Sequence, residues 1–352
     1  MKIALPENAL VTTTVYSMLW PETRALMRRC MTHETDQMLA RHEHAHTKRQ
    51  DAMHDEFFEA WLNFAASALN FPACQFPERY PTAGSSEAIR EIIRQAGWKN
   101  QDLVVFDGEY EGYEAIAAAQ GTRIHRVSRE NWQEQLRSWM VDEAPWGPGG
   151  AQWWISQPSA IDGNQWNEFS TWLESMEVLF PECQVWVDLT YVGAARQRSM
   201  IDLSHASNVA GVVFSLSKVM GAYYRRIGGC LSRDPVEGLW ANRWFKNLDS
   251  LYLGQRWCEQ NKDALTLGGS RFDLQCRALE AVNSNLGDGG WVEAGILWQP
   301  SDVALLIHAR NPAVEAPDAL SAFWEASRRG CDAPVSRRLC LTPLLTKMLE
   351  TN

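Results

Sequence analysis

The stretch "FSLSKVMGAYYRRIGG", Phe214–Gly229, decides how this chain is read. An apolar run from Val209 to Phe214 stops abruptly at Ser215-Leu216-Ser217-Lys218, and eight residues after the lysine comes Arg226, followed by Ile227-Gly228-Gly229. A buried strand is delivering a lysine flanked by hydroxyls to its carboxyl end, and a short loop returns an arginine. The chain has only seven lysines (Lys2, Lys48, Lys99, Lys218, Lys246, Lys262, Lys347), and Lys218 alone combines strand-end placement with the serines and the arginine.

Around this stretch the sequence alternates. Short β-type runs at Asp102–Phe106, Thr122–Val127, Gln152–Ser156, Gln184–Asp188, Val209–Phe214 and Ile227–Leu231 are separated by helical segments. In one of these, Phe169, Trp172, Leu173 and Met176 fall on a single helical face. Strands alternating with such helices predict βαβ units and a mostly parallel sheet covered on both faces. Ligands of such sheets bind at the carboxyl ends of the strands, which is where Lys218 lies. A smaller pattern follows residue 290: strand Val303–Ala309, helix Asp318–Arg329, strand Val335–Leu341 and a last short helix. The expected fold class is therefore α/β, with a large mostly parallel sheet domain and a smaller α+β C-terminal domain. The expected organisation is an N-terminal segment over 1–49, a large domain over 50–245 and a small domain over 246–352.

Other strand ends carry chemistry too. "VDLTY" places Asp188 and Tyr191 three residues apart at the end of the fourth run. "TAGSSEAIREII" opens a helix whose Ala88, Ile89, Ile92, Ile93 and Ala96 share a face, so Gly84, Ser85 and Ser86 sit at its N-terminus. Free backbone N–H groups and hydroxyls there form a ready anion site. The run ending at Phe106 leads into "DGEYEGY", offering Tyr110 and Tyr113.

Taken together, the four segments resemble the pyridoxal-phosphate (PLP) enzymes of fold type I, specifically the class I/II aminotransferase-like group, over roughly residues 80 to 232. The resemblance implies the aspartate-aminotransferase-like fold, PLP as cofactor, an α-amino acid as substrate and a homodimer with active sites at the interface. It implies that Lys218 forms the Schiff base with the cofactor and later moves the substrate α-proton. Asp188 would keep the pyridine nitrogen protonated, and Tyr191 would hydrogen-bond the phenolic oxygen. Arg226, Ser215, Ser217 and the Gly84–Ser86 turn would hold the phosphate, for which a planar guanidinium fork is suited. Tyr110 would stack on the ring, with Tyr113 and Phe106 as the other aromatics in range.

Departures from the family pattern are equally visible. The loop that normally supplies an asparagine to the phenolic oxygen reads "ISQPSAIDGNQW"; Gln157 falls at the asparagine position, and Ser159 or Asn164 could substitute. The first 70 or so residues lack the glycine and tyrosine segments that line the substrate pocket. In "SRRLCL" Arg338 fits the register of the family's carboxylate-binding arginine better than Arg337, and strand alternation allows only one of them to face the pocket. The expected activity is an aminotransferase; a lyase, cyclase or decarboxylase on the same scaffold is the alternative, and a non-catalytic PLP-binding regulator a remote one.

Composition narrows the field further. The 352 residues are 45% hydrophobic and 22% charged, with a net charge of −10, which argues against a nucleic-acid surface. No apolar stretch reaches the ~20 residues of a membrane span, and no secretory signal pattern opens the chain. Eight cysteines without a C-x-x-C pair read as reduced thiols of a cytoplasmic protein. "HEHAH" (His42, His44, His46) could suggest a metal, but its charged flanks favour a solvated helix, and no metal is expected. The 17 tryptophans suit core and interface packing.

Overall fold

Trp153 and Trp154 show how the main sheet is covered. Consecutive strand residues point to opposite faces, and these two are fully buried in different hydrophobic clusters. The structure, a computed structural model, describes residues 11–45, 51–196, 198–205, 207–244, 247–261, 263–285, 295–310, 321, 324–330 and 336–350. Its largest sheet has seven strands: β2 (Glu78–Thr82), β3 (Asp102–Phe106), β4 (Ile124–Val127), β5 (Ala151–Ser156), β6 (Gln184–Asp188), β8 (Val209–Ser215) and β9 (Gly228–Ser232). Their spatial order is β2-β9-β8-β6-β5-β3-β4. Every pairing from β8 to β4 is parallel, and only β9 runs antiparallel to its neighbours β8 and β2. The α/β class with a mostly parallel sheet is thus observed. The strand expected over Thr122–Val127 begins two residues later, and the one expected over Ile227–Leu231 is displaced by one.

Helices cover both faces. On one lie α4 (Ser85–Trp98) and α5 (Glu111–Ala119), with Ala88, Ile89, Ile92 and Ile93 packed on Tyr80, Trp154 and Trp186. On the other, α3 (Asp51–Ala65), α6 (Trp132–Asp142), α7 (Phe169–Leu179) and α8 (Leu248–Asn261) join the larger cluster. There Trp61 stacks on Phe214 with centroids 3.8 Å apart, and Trp172 packs against Phe106 and Trp153. Burying an aromatic of this size contributes roughly 2–3 kcal/mol. These contacts hold β8 and β5 rigidly at the depth from which their carboxyl ends emerge.

A second, four-stranded antiparallel sheet is formed by β10 (Gln299–Pro300), β11 (Leu306–Arg310), β12 (Arg328–Arg329) and β13 (Ser336–Cys340), in the order β10-β11-β13-β12. The strand predicted from Val303 starts only at Leu306, because Val303 is engaged in an isolated bridge to Ala195. The helix predicted over Asp318–Arg329 is corrected at its end: residues 321 and 324–326 are helical, but Arg328 and Arg329 pair with β13, while 318–320, 322 and 323 lie outside the described residues. The closing helix is present at Thr342–Glu350. The remaining strands, β1 (Leu69–Asn70) and β7 (Ile201–Asp202), form a small parallel pair.

Two helices precede α3, namely α1 (Pro21–His33) and α2 (Thr35–Ala45). On α2, His42 pairs with Asp249 at 2.9 Å and stays half-exposed, while His46 lies outside the described residues. Among the described residues no group of His, Cys, Asp and Glu could hold a metal, and no helix is long and apolar enough to cross a membrane. The seven described cysteines are free thiols.

Candidate active site

The carboxyl ends of β6 and β8, the N-terminus of α4 and the start of α5 meet around a cavity of about 360 Å³. Lys218 lies three residues beyond β8 and reaches this cavity. Burial, reinforced by the guanidinium groups of Arg338 and Arg226 against an opposing contribution from Cys340, pushes its amine down to a pKa of about 8. The loop that carries it is braced from within, since Ser215 Oγ bonds Ser217 Oγ at 2.9 Å and accepts from the Ser217 N–H at 3.1 Å.

At one end of the cavity the sequence-predicted anion site is assembled. Gly84 caps α4 with φ +78°, and a Cβ there would meet Arg226 Nη2 at 2.8 Å and Ser215 Oγ at 3.4 Å. The missing side chain is therefore what lets a guanidinium and a hydroxyl close on the helix N-terminus. Arg226 itself holds a left-handed φ of 51° and lies over the Tyr223 ring. No carboxylate pairs with Arg226 among the described residues. A guanidinium, hydroxyls of Ser86, Ser215 and Ser217, and free helix N–H groups make a cradle for a phosphate.

Asp188 occupies the middle of the floor. It is buried and accepts hydrogen bonds from the Thr190 N–H at 2.9 Å, Thr190 Oγ1 at 2.5 Å and the Tyr113 hydroxyl at 3.0 Å. Burial raises its pKa, and these donors work against that rise by favouring the carboxylate. Of the three aromatics in range, only Tyr110 lines the cavity. Tyr113 is fully buried behind it, edge-on at 5.3 Å, and Phe106 belongs to the tryptophan cluster below. Gly112 serves Tyr110 directly, since a Cβ there would run into the tyrosine ring. Tyr191 lines the opposite wall, and burial, opposed by Arg338, holds its hydroxyl up at about 12.

The alternation of β13 separates its two arginines. Arg337 turns away, stacking on Trp324 at 3.8 Å and pairing with Glu325. Arg338 faces the cavity, donates to the Ala160 carbonyl and leaves its buried Nε without a hydrogen-bond partner. A buried guanidinium N–H in this state calls for an acceptor that the protein does not provide.

The loop after β5 departs from expectation. Gln157 folds back onto Trp166, accepting from its N–H at 3.1 Å and donating to its carbonyl at 3.3 Å. Ser159 bonds Arg129 at 2.9 Å, and Asn164 accepts from the Asp302 N–H at 3.0 Å. None of the three lines the cavity; Ser156 and Ala160 do. The Ser156 hydroxyl donates to the buried Glu109 at 2.6 Å and accepts from the Ala160 N–H at 2.6 Å. The site thus lacks a side-chain amide at this position.

Sequence reasoning missed a whole wall. Thr14, Val15 and Tyr16 line the cavity, and the Lys218 amine donates to the Val15 carbonyl at 2.5 Å. The segment is pinned by two backbone bonds between Thr12 and Cys340 and by Ser17 Oγ donating to the Lys218 carbonyl at 2.8 Å. Backbone carbonyls leave no trace in residue identity, so no signal could have found Val15. Tyr113, read from the sequence only as an alternative ring-stacking aromatic, instead sits in the first turn of α5 and holds Asp188 through its hydroxyl.

Neither a protein-family model nor a curated protein matches the sequence. Solved structures do resemble the chain. An aminotransferase from Staphylococcus aureus superposes with a TM-score of 0.65 at 12% identity, covering 99% of this chain and 95% of that one. Histidinol-phosphate aminotransferase from Sinorhizobium meliloti, solved in complex with pyridoxal-5'-phosphate, gives 0.59 at 15% identity over 97% of this chain and 89% of that one. The PLP-bound C-S lyase from Staphylococcus hominis gives 0.61 at 10% identity over 84% and 79%. The chain has their fold. The cavity lies at the carboxyl ends of the sheet, as open α/β sheets place their ligand sites.

Proposed function

We propose that this protein is a PLP-dependent enzyme acting on an α-amino acid, and that its reaction is transamination. The observation that carries the proposal is the convergence, in one cavity, of Lys218, Asp188, the Arg226–Gly84 cradle and Arg338 from four separate elements. The fit to the cofactor rests on the empty place of the Gly84 Cβ beside Arg226, and the fit to a substrate carboxylate on the unpartnered Arg338 Nε.

PLP, when bound, supplies a ring that withdraws the electrons left behind when a bond to the substrate Cα breaks. Arg226, Ser215, Ser217 and the Gly84–Ser86 turn would hold its phosphate, Tyr110 would lie on its ring, and Tyr191 would donate to its phenolic oxygen. Asp188, whose three donors favour the carboxylate against the rise that burial causes, would place a negative charge at the pyridine nitrogen. Lys218, depressed to about 8, gives up its proton more readily than a solvated lysine, so its amine would hold the cofactor and, once the substrate amine displaces it, be free to take the proton from Cα. Arg338 would hold the α-carboxylate, which a transaminase retains.

One observation favours a second reading. Ser156 and Ala160 offer no amide to the phenolic oxygen, so the electronic tuning of the ring differs from that of the usual loop, and a lyase, cyclase or decarboxylase could use the same residues. Product analysis separates the readings. Keto acid together with the amine form of the cofactor is expected; ammonia, carbon dioxide or a cyclised product with unchanged cofactor would overturn transamination. In Lys218→Ala the cofactor should no longer be fixed by borohydride, and turnover should fall by about 10³-fold or more. PLP attachment to the apoprotein should speed up as pH rises through about 8, because the unprotonated amine is the attacking form.

The assembly proposed is a homodimer with the site at its interface. Tyr224 is 93% exposed next to the cavity residue Tyr223, and Trp240 and Trp244 form a further exposed aromatic pair. Aromatics of this kind suit an interface, and light scattering tests the assembly. We also propose the division into 1–49, 50–245 and 246–352 and a cytoplasmic location, the latter supported by the free cysteines.

A further inference from the structure

Once the proposed roles are assigned, one charged residue on the lining is left over. Lys218, Asp188, Arg226 and Arg338 each meet a group of the cofactor or of the amino-acid backbone. Glu111, the first residue of α5, lines the same cavity and meets none of them. Its carboxylate is 3.0 Å from Arg329 Nη2. That nitrogen also donates to the carbonyls of Gly108 at 3.0 Å and Glu109 at 2.7 Å. It therefore serves more acceptors than it has hydrogens, and Glu111 receives a shared bond rather than a full partner. Arg329 does not line the cavity, whereas Glu111 does.

The charge on Glu111 is secure. Its side chain is 69% exposed; partial desolvation favours the protonated acid, but Arg329, the residue's own N–H and Arg338 hold its pKa below the usual carboxylate range. The other charged groups on the lining are Lys218, Arg226, Arg338 and the buried Asp188, so Glu111 is the one carboxylate there without a proposed role. A substrate side chain that reaches Glu111 meets an anion.

Resting on the function proposed above, we infer that Glu111 selects α-amino acids with a cationic side chain, whose guanidinium or ammonium group meets Glu111 while Arg338 holds the α-carboxylate. A dicarboxylic substrate would set a second carboxylate against Glu111, a like-charge contact that discriminates by repulsion.

The test titrates PLP-loaded protein with L-arginine against L-citrulline, L-lysine against L-norleucine, and L-glutamate, reading apparent Kd from cofactor absorption and rate from product. The cationic member of each pair should bind about tenfold more tightly than its uncharged isostere. Glu111→Gln should erase that margin while leaving citrulline and norleucine within about threefold, and Glu111→Arg should turn the preference toward glutamate. Equal losses for all ligands in Glu111→Gln, or a wild-type preference for glutamate, would overturn the inference and leave the proposed function standing. A response to no amino acid would overturn both. Should Glu111→Gln fail to fold, the wild-type ranking and Glu111→Asp decide the matter.

Discussion

Two walls of one cavity are built in different ways. The wall of strand ends takes Asp188 from β6, Ser215 to Lys218 from the end of β8 and Arg226 from the loop before β9, all anchored to a sheet buried under tryptophans. The facing wall takes Thr14 to Tyr16 from an extended segment, Ala160 from a loop and Arg338 from a second sheet. In the first wall position follows from strand register, and a side chain is placed because its strand is buried. In the second it follows from long-range hydrogen bonds, such as those joining Thr12 to Cys340 and Arg338 to Ala160. The first wall should therefore fail sharply when a single atom is added or removed, and the second by degrees.

The sharpest test is Gly84→Ala. A methyl group there would press on Arg226 at 2.8 Å, at a φ of +78° that alanine also resists. PLP affinity should fall about 100-fold, measured by fluorescence titration. Gly121→Ala shares the positive φ of +71° but has open space around the added carbon, so it isolates the backbone cost of about 1 kcal/mol. Equal effects from the two substitutions would show that Arg226 does not close on Gly84.

Tyr113→Phe should act through Asp188. Removing the donor at 3.0 Å takes away a bond that favours the carboxylate, so the Asp188 pKa moves still higher. The ionised form then persists only at higher pH. The acid limb of PLP affinity should accordingly shift upward, with a loss of about tenfold on that limb that recovers as pH is raised. A loss independent of pH would assign Tyr113 a packing role alone. On the other wall the smallest effect is expected: Ser17→Ala, which deletes the bond to the Lys218 carbonyl, should cost about 1 kcal/mol in docking of the segment. Faster hydrogen exchange over residues 12–18 with PLP affinity unchanged is the expected signature, and a collapse of affinity would mean that this wall is as brittle as the first.

Legibility in the sequence followed the same division. Lys218, Asp188, Arg226, Tyr110 and the Gly84–Ser86 turn could be read because each stands at a boundary between an apolar run and a polar group, which local patterning exposes. Alternation allows only one of Arg337 and Arg338 to face the pocket, and the register of the resembling family picked Arg338. Gln157, Ser159 and Asn164 stayed open as alternatives, because a one-dimensional reading counts loop residues, whereas the backbone turns Gln157 onto Trp166 and none of the three lines the cavity. Ser156 and Ala160 reach the cavity instead, and Val15 contributes a carbonyl that every residue type possesses.

The sequence by itself determined the alternating framework and the residue types at its strand ends, since burial period and turn chemistry are local properties. Only the tertiary structure decided which second wall closes the cavity, which loop residue faces inward and which acid, Glu111, is left on the lining. Those outcomes depend on contacts between segments as far apart as Thr12 and Cys340, whose geometry no local pattern encodes.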